Sequence, residues 1–121
     1  MSAAASHYAT FKEQAAREGR VYTFTADGEY LVFPVHGAEV VPFWSSRSRL
    51  EKVAKDHPKY RQHQIKELAL ADFMRWLPDL GKDGIRIGAN WSGKKLTGYD
   101  VDAGELIAGL QYWLDKLKGS P

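Results

Sequence analysis

Between Leu68 and Trp91 the chain sets an apolar helical pattern, a proline, an Asp-Gly turn signal and an isoleucine-rich strand in immediate succession. Leu70, Phe73, Met74 and Leu77 stand at i, i+3, i+4 and i+7, the spacing that gives a helix one apolar stripe. Pro78 lacks the N–H a helix interior needs, which predicts a stop at Leu77. Asp83-Gly84 then turns the chain into Ile85-Arg86-Ile87-Gly88, an alternating strand with both isoleucines on one face, followed by Asn90 and Trp91. A helix folded back on the next strand, with Trp76 and Trp91 both to be accommodated, restricts the packing far more than composition does.

The rest of the chain alternates in the same way. Tyr8, Phe11 and Ala15 at helical spacing predict a first helix, with Ser6 as N-cap and Gly19 as stop. Val21 to Thr25 and Tyr30 to Phe33 are rich in β-branched and aromatic residues and flank Asp27-Gly28, a strong hairpin dipeptide. A second turn at His36-Gly37-Ala38 leads into Glu39 to Trp44, where Pro42 predicts an edge strand or a bulge. Ser45 or Ser46 caps a second helix carrying Leu50, Val53, Ala54 and His57 on one face, and Pro58 ends it. A short strand is expected near His63 to Lys66 and another at Tyr99 to Val101. Asp102 and Glu105 resemble a capping box ahead of a last helix, whose stripe holds Leu106, Ile107, Leu110, Trp113, Leu114 and Leu117. The expected architecture is α+β: one domain over residues 1–121, a mainly antiparallel sheet with an N-terminal meander of about three strands, and about four helices. Residues 1–5 and 118–121 read as flexible ends.

At 121 residues such a domain buries roughly two thirds of the surface its unfolded chain exposes, enough for a core without staples. There is no cysteine, which removes disulfides, thiolate nucleophiles and cysteine-based metal sites. A net charge of +2 is too small to predict nucleic-acid or membrane binding from the total. The start carries no basic and apolar secretory pattern, and no apolar run approaches the ~20 residues a membrane helix needs, so a cytoplasmic protein is expected.

Gly88 to Lys95 imitates a phosphate loop but fails on chemistry. Lys95 occupies the position where a hydroxyl would ligate magnesium, and the following residues read as a turn into a strand rather than a helix whose N–H groups cradle phosphate. Asn90-Trp91-Ser92 fits the glycosylation acceptor pattern, without consequence in the absence of a secretory signal. The histidines His7, His36, His57 and His63 show no helical i, i+4 pair, so no metal site is expected, and neither is a cofactor. No nucleophile stands beside a base, so no catalytic residue is assigned.

Two features point instead to a surface. From Arg47 to Arg61 there are six basic residues, Arg47, Arg49, Lys52, Lys55, Lys59 and Arg61, against Glu51 and Asp56. Such a face suits phosphates or an acidic protein surface. Trp44, Trp76 and Trp91 fall at element ends, where an indole can anchor a partner or finish the core; Trp113 belongs to the last helix's apolar stripe. The partner-binding candidates are therefore Trp44, Arg47, Arg49, Lys52, Trp76, Asn90 and Trp91.

Tyr8 with Phe11, the run Val40-Val41-Pro42-Phe43-Trp44-Ser45 followed by Arg47, Leu70 to Leu80 around Phe73 and Trp76-Leu77-Pro78, and Asp83-Gly84 to Gly88 with Asn90 and Trp91 resemble the bacterial domain-of-unknown-function family DUF 2750. The resemblance runs from about Tyr8 into the last helix and departs near Tyr30 to Gly37, which is apolar here. It implies a small cytosolic bacterial single-domain protein, with no activity or cofactor attached. The leading expectation is a noncatalytic protein-binding module, immunity-like or accessory. The alternatives are nucleic-acid binding through the Arg47 to Arg61 face, aided by Lys94 and Lys95, and an enzyme whose Asp83, Asn90 and His57 converge only in space.

Overall fold

In a computed structural model, described over residues 3–119, the elements run α1 (Ala3–Glu18), β1 (Arg20–Ala26), β2 (Glu29–Tyr30), β3 (Phe33–Val35), β4 (Ala38–Phe43), α2 (Arg47–Asp56), β5 (Gln64–Ala69), α3 (Leu70–Lys82), β6 (Ile85–Ser92), β7 (Thr97–Val101) and α4 (Ala103–Lys118). A single 3-10 turn, Pro58–Tyr60, follows α2. Of the expected flexible ends, Ala3 to Ala5 open α1 and Lys118 closes α4, while residues 1, 2, 120 and 121 lie outside the described residues. Ser6 is therefore inside α1 and not its cap.

Both tight turns form as the dipeptides require. Asp27 and Gly28 have φ of 53° and 81°, His36 and Gly37 of 48° and 81°, the paired left-handed geometry that two-residue hairpins need. The strands they join do not form one meander, however. β1 and β2 lie in an antiparallel sheet ordered β2-β1-β5, whereas β3 and β4 lie in a second sheet ordered β3-β4-β6-β7. The expected strand from Tyr30 to Phe33 breaks at Leu31 and Val32, and there the chain changes sheets. A bridge between Tyr22 and Trp44, with both backbone bonds at 2.8 Å, ties β1 to the end of β4.

The fold is α+β and its strand pairs are mainly antiparallel, with β4 and β6 parallel. A parallel pair needs a long crossover, here the whole of α2, β5 and α3, and no local signal announces it. Pro42 accordingly sits in an interior strand, not at an edge. It is tolerated because β3 accompanies β4 only as far as Val40; beyond that, the Thr23 hydroxyl donates to the Pro42 carbonyl at 2.7 Å.

Alternation along β4 separates two cores. Val41 and Phe43 point to the layer of α1, α3 and α4, joining Phe11, Phe73, Leu77, Ile87, Leu106 and Leu110. Val40 and Trp44 point the other way, joining Tyr22, Phe24, Leu50, Val53, Tyr60 and Trp91 beneath α2. Burying each such side chain contributes roughly 1.5–3 kcal/mol. Pro78 does not stop α3, which continues to Lys82. Leu77 and Leu80 are buried on either side of it while Pro78 is exposed, so packing holds the turn despite the missing N–H. Asp83 and Gly84, with Gly84 at φ 72°, make the actual stop. The apolar stripe of α4 is buried at Leu106 and Leu110; Ile107, Trp113 and Leu114 are partly exposed and Leu117 is exposed.

Asp102 caps α4 by accepting from the Glu105 N–H at 2.8 Å. Glu105 does not complete a capping box; its Oε2 accepts from the buried Tyr8 hydroxyl at 3.0 Å. Burial first, then the Glu105 carboxylate, pushes the Tyr8 phenol well above its ordinary value. The neutral form is thus favoured by folding, so its stabilisation is present below the unfolded pKa of about 10 and declines as pH rises beyond it. In urea unfolding between pH 8 and 11, the stability difference between wild type and Tyr8→Phe is expected to shrink above pH 10. A difference that stays flat would disprove the linkage.

Candidate functional site

β6 is irregular where it matters. Its register against β7 shifts between Ala89 and Ser92, and Asn90 at the shift has φ 52°. Asparagine tolerates that left-handed backbone better than most residues, and here its amide also finds partners. Asn90 Oδ1 accepts from the Ser45 N–H at 2.9 Å; Nδ2 donates to Ser45 Oγ at 3.0 Å and to the His7 carbonyl at 3.4 Å. Ser45 Oγ in turn donates to Gln14 Oε1 at 2.6 Å, which also accepts from Arg49 Nε at 3.3 Å. One polar chain therefore links β6, the end of β4, α1 and α2. A non-glycine residue held in strained backbone by such a network is a frequent companion of binding sites.

The tryptophans support the same region from within. Trp44 is 1% exposed and its Nε1 donates to the Trp91 carbonyl at 2.8 Å. Trp91 is 3% exposed and its Nε1 donates to the Tyr99 carbonyl at 3.0 Å. Its indole lies across two glycines: a Cβ on Gly88 would come within 2.5 Å of it and one on Gly98 within 2.6 Å. Those glycines make room for the ring, which accounts for the glycine that had imitated a phosphate loop.

Beside the two tryptophans is a cavity of about 180 Å³, lined by His7, Trp44, Arg49, Lys52, Val53, Asp56, His57, Asn90, Trp91, Ser92 and Gly93. His57 closes one wall: its Nε2 donates to the Gly93 carbonyl at 2.8 Å, pinning the β6–β7 turn to the end of α2. Lys52 pairs with Asp56 at 2.9 Å and holds that carboxyl below its ordinary range. Arg49 is part-buried and, among the described residues, has no carboxylate partner.

Five of the sequence candidates, Trp44, Arg49, Lys52, Asn90 and Trp91, thus meet at one place. Trp44 and Trp91 are not protruding anchors: both are buried in the second core. Two candidates lie elsewhere. Arg47 is exposed and pairs along α2 with Glu51 at 3.4 Å, and Trp76 packs on Tyr30 and Phe43 in the first core. The expected grouping of Asp83, Asn90 and His57 does not form: Asp83 caps α3 at the start of β6, on the order of 20 Å from Asn90 at about 3.3 Å per strand residue. Lys94 and Lys95 are exposed in the β6–β7 turn. Sequence reading missed His7, Gln14, Ser45 and Ser92. The available signal was Asn90 itself, a strand-averse residue between Ala89 and Trp91.

Ser92 Oγ and His7 Nδ1 stand 3.5 Å apart, beyond a firm O–H···N bond, and among the described residues no third group orients that histidine through its ring. What the arrangement offers is recognition: an apolar pocket with a few fixed polar groups. The family model described as "Protein of unknown function (DUF2750)" matches residues 8–110. The chain belongs to the DUF2750 family. The match covers Gln14, Ser45, Arg49, Asn90 and Trp91, so most of the site lies within the family domain, and His7 falls one residue before it. No curated protein matches the chain. Among the described residues no helix is long and apolar enough to cross a membrane.

Proposed function

We propose that this DUF2750 member is a small cytoplasmic bacterial protein that works as a noncatalytic protein-binding module, meeting its partner at the α2 face and the cavity mouth. The convergence of the part-buried Arg49, the exposed Lys52 and the Asn90–Ser45 polar network on one cavity supports this reading. Arginine is enriched at interface hot spots, and a rigid surface lowers the entropy cost of docking. The basic face weighs less toward nucleic acid than its sequence suggested, since Arg47 and Lys52 are already paired with Glu51 and Asp56.

The test is cross-linking capture from the native lysate with three baits: wild type, the Arg49→Glu/Lys52→Glu double variant, and Arg75→Glu on the exposed face of α3. Wild type and Arg75→Glu are expected to retain the same protein and the double variant to lose it, with all three melting cooperatively. Identical captures on all three baits, or retention of RNA in place of a protein, would overturn the proposal.

A further inference from the structure

Two stretches of the chain, residues 57–66 and 84–99, contain no aspartate or glutamate, and they hold Lys59, Arg61, Lys66, Arg86, Lys94 and Lys95. They meet where His57 Nε2 donates to the Gly93 carbonyl at 2.8 Å. Lys94 and Lys95 follow that carbonyl in the β6–β7 turn, and Lys59 and Arg61 follow His57 around the 3-10 turn. Lys94 is one residue and Lys59 two from the bonded groups, so at about 3.8 Å between successive Cα atoms both lie within about 8 Å of that bond along the chain. Lys66 lies further out along β5, and Arg86 pairs with Asp100 at 2.6 Å.

The corner differs from the rest of the surface in how its charges are met. Arg17, Arg20, Arg47, Arg75 and Arg86 have Glu13, Glu67, Glu51, Asp72 and Asp100 as partners, and Lys52 has Asp56. Lys59, Arg61, Lys94 and Lys95 are all exposed and, among the described residues, none has a carboxylate partner. Cations gathered without counter-charges repel one another, a cost that an acidic partner reverses.

The backbone that carries them is held in place. The Gly93 carbonyl also accepts from the Leu96 N–H at 3.1 Å, and the Pro58 carbonyl accepts from the Arg61 N–H at 3.0 Å. Leu96 and Tyr60, which flank the two pairs of cations, are buried. Docking therefore orders side chains alone, which keeps its entropy cost low. Nucleic acid suits the corner less. The nearest indole and phenol in the chain, Trp91 and Tyr60, are buried, so bases have no ring to stack on. Four cations also match a short acidic run better than a duplex, whose charges continue at about one per 1.7 Å.

We propose that the corner formed by Lys59, Arg61, Lys94 and Lys95 is a docking surface for an acidic segment, a short run of aspartates and glutamates, on a protein partner. This rests on the chain being a protein-binding module and names the chemistry its partner brings; the corner adjoins the cavity, which His57 and Gly93 line.

The probes are a short peptide of alternating glutamate and aspartate, the matching peptide of glutamine and asparagine, and an oligothymidylate of the same charge, followed by amide resonances of the full chain. The acidic peptide is expected to shift Arg61, Lys94 and Lys95 saturably. Lys94→Gln/Lys95→Gln and Lys59→Gln/Arg61→Gln are each expected to weaken it about three- to tenfold, the range that two exposed ion pairs supply. Lys82→Gln/Lys118→Gln removes the same charge outside both stretches and is expected to leave binding unchanged. The two corner variants alter separate turns, so either one serves as the test if the other fails to fold. Equal binding of the uncharged peptide, equal weakening by the Lys82 and Lys118 changes, tighter binding of the oligothymidylate, or no saturable shift would overturn the proposal. If the peptide fails while lysate capture still depends on Arg49 and Lys52, only the acidic segment falls. If the peptide binds at the corner while capture is indifferent to Arg49 and Lys52, the acidic docking stands and the α2 face loses its part in the function.

Discussion

Trp44→Ala is expected to lower the free energy of unfolding by about 3–5 kcal/mol, the usual cost of emptying a large aromatic site. The ring is 1% exposed, sits edge-on to Phe24 at 5.4 Å between centroids, and has Leu50 and Val53 in the same core. Its N–H also satisfies the carbonyl of Trp91, so removal leaves a buried acceptor without its partner. With m-values of about 1–3 kcal/mol/M for small proteins in urea, the midpoint is expected to fall by roughly 2 M. Trp44→Phe keeps most of the packing and loses the hydrogen bond, so its cost is expected to be smaller, about 1–3 kcal/mol. A loss below 1 kcal/mol for Trp44→Ala would remove Trp44 from the core and return it to the list of surface anchors.

That tryptophan also shows which parts of the fold could be read in advance. Local chemistry was legible: Asp27-Gly28 and His36-Gly37 form the turns their backbone freedom allows, Ser46 caps α2 by accepting from the Arg49 N–H, and Asp102 caps α4. Where tertiary packing decides, the sequence was silent or misleading. Pro78 looked like a stop and is carried through by the burial of Leu77 and Leu80. Residues 20–43 looked like one sheet, but β3 joins a different sheet from β2, and β6, more than forty residues on from β4, is what completes it. The candidate site divides the same way. Arg49 and Lys52 stand out on a basic helix, and Asn90 and Trp91 on a strand. His7, Gln14 and Ser45 are brought in by the packing of α1 and the end of β4, for which no spacing in the sequence provides a sign.

The cavity depends on Asn90 in two separable ways, and two substitutions divide them. Asn90→Ala removes the acceptor for the buried Ser45 N–H, a loss of about 1–3 kcal/mol, and puts alanine at φ 52°, where a left-handed residue with a Cβ costs roughly 1–2 kcal/mol more. Asn90→Gly removes the same hydrogen bonds without the backbone strain. Alanine is therefore expected to cost about 2–5 kcal/mol by urea unfolding and glycine roughly 1–2 kcal/mol less. Equal losses would show that the backbone at Asn90 relaxes and stores no strain; losses under 0.5 kcal/mol for both would show that the Ser45 N–H finds another acceptor. Both variants also cut the link from Asn90 Nδ2 to the His7 carbonyl, which fastens α1 to β6 beside the cavity. Amide exchange near the start of α1 is accordingly expected to quicken in each while exchange in α3 keeps its wild-type ranking, because the lost contacts all lie at the cavity end of the strand.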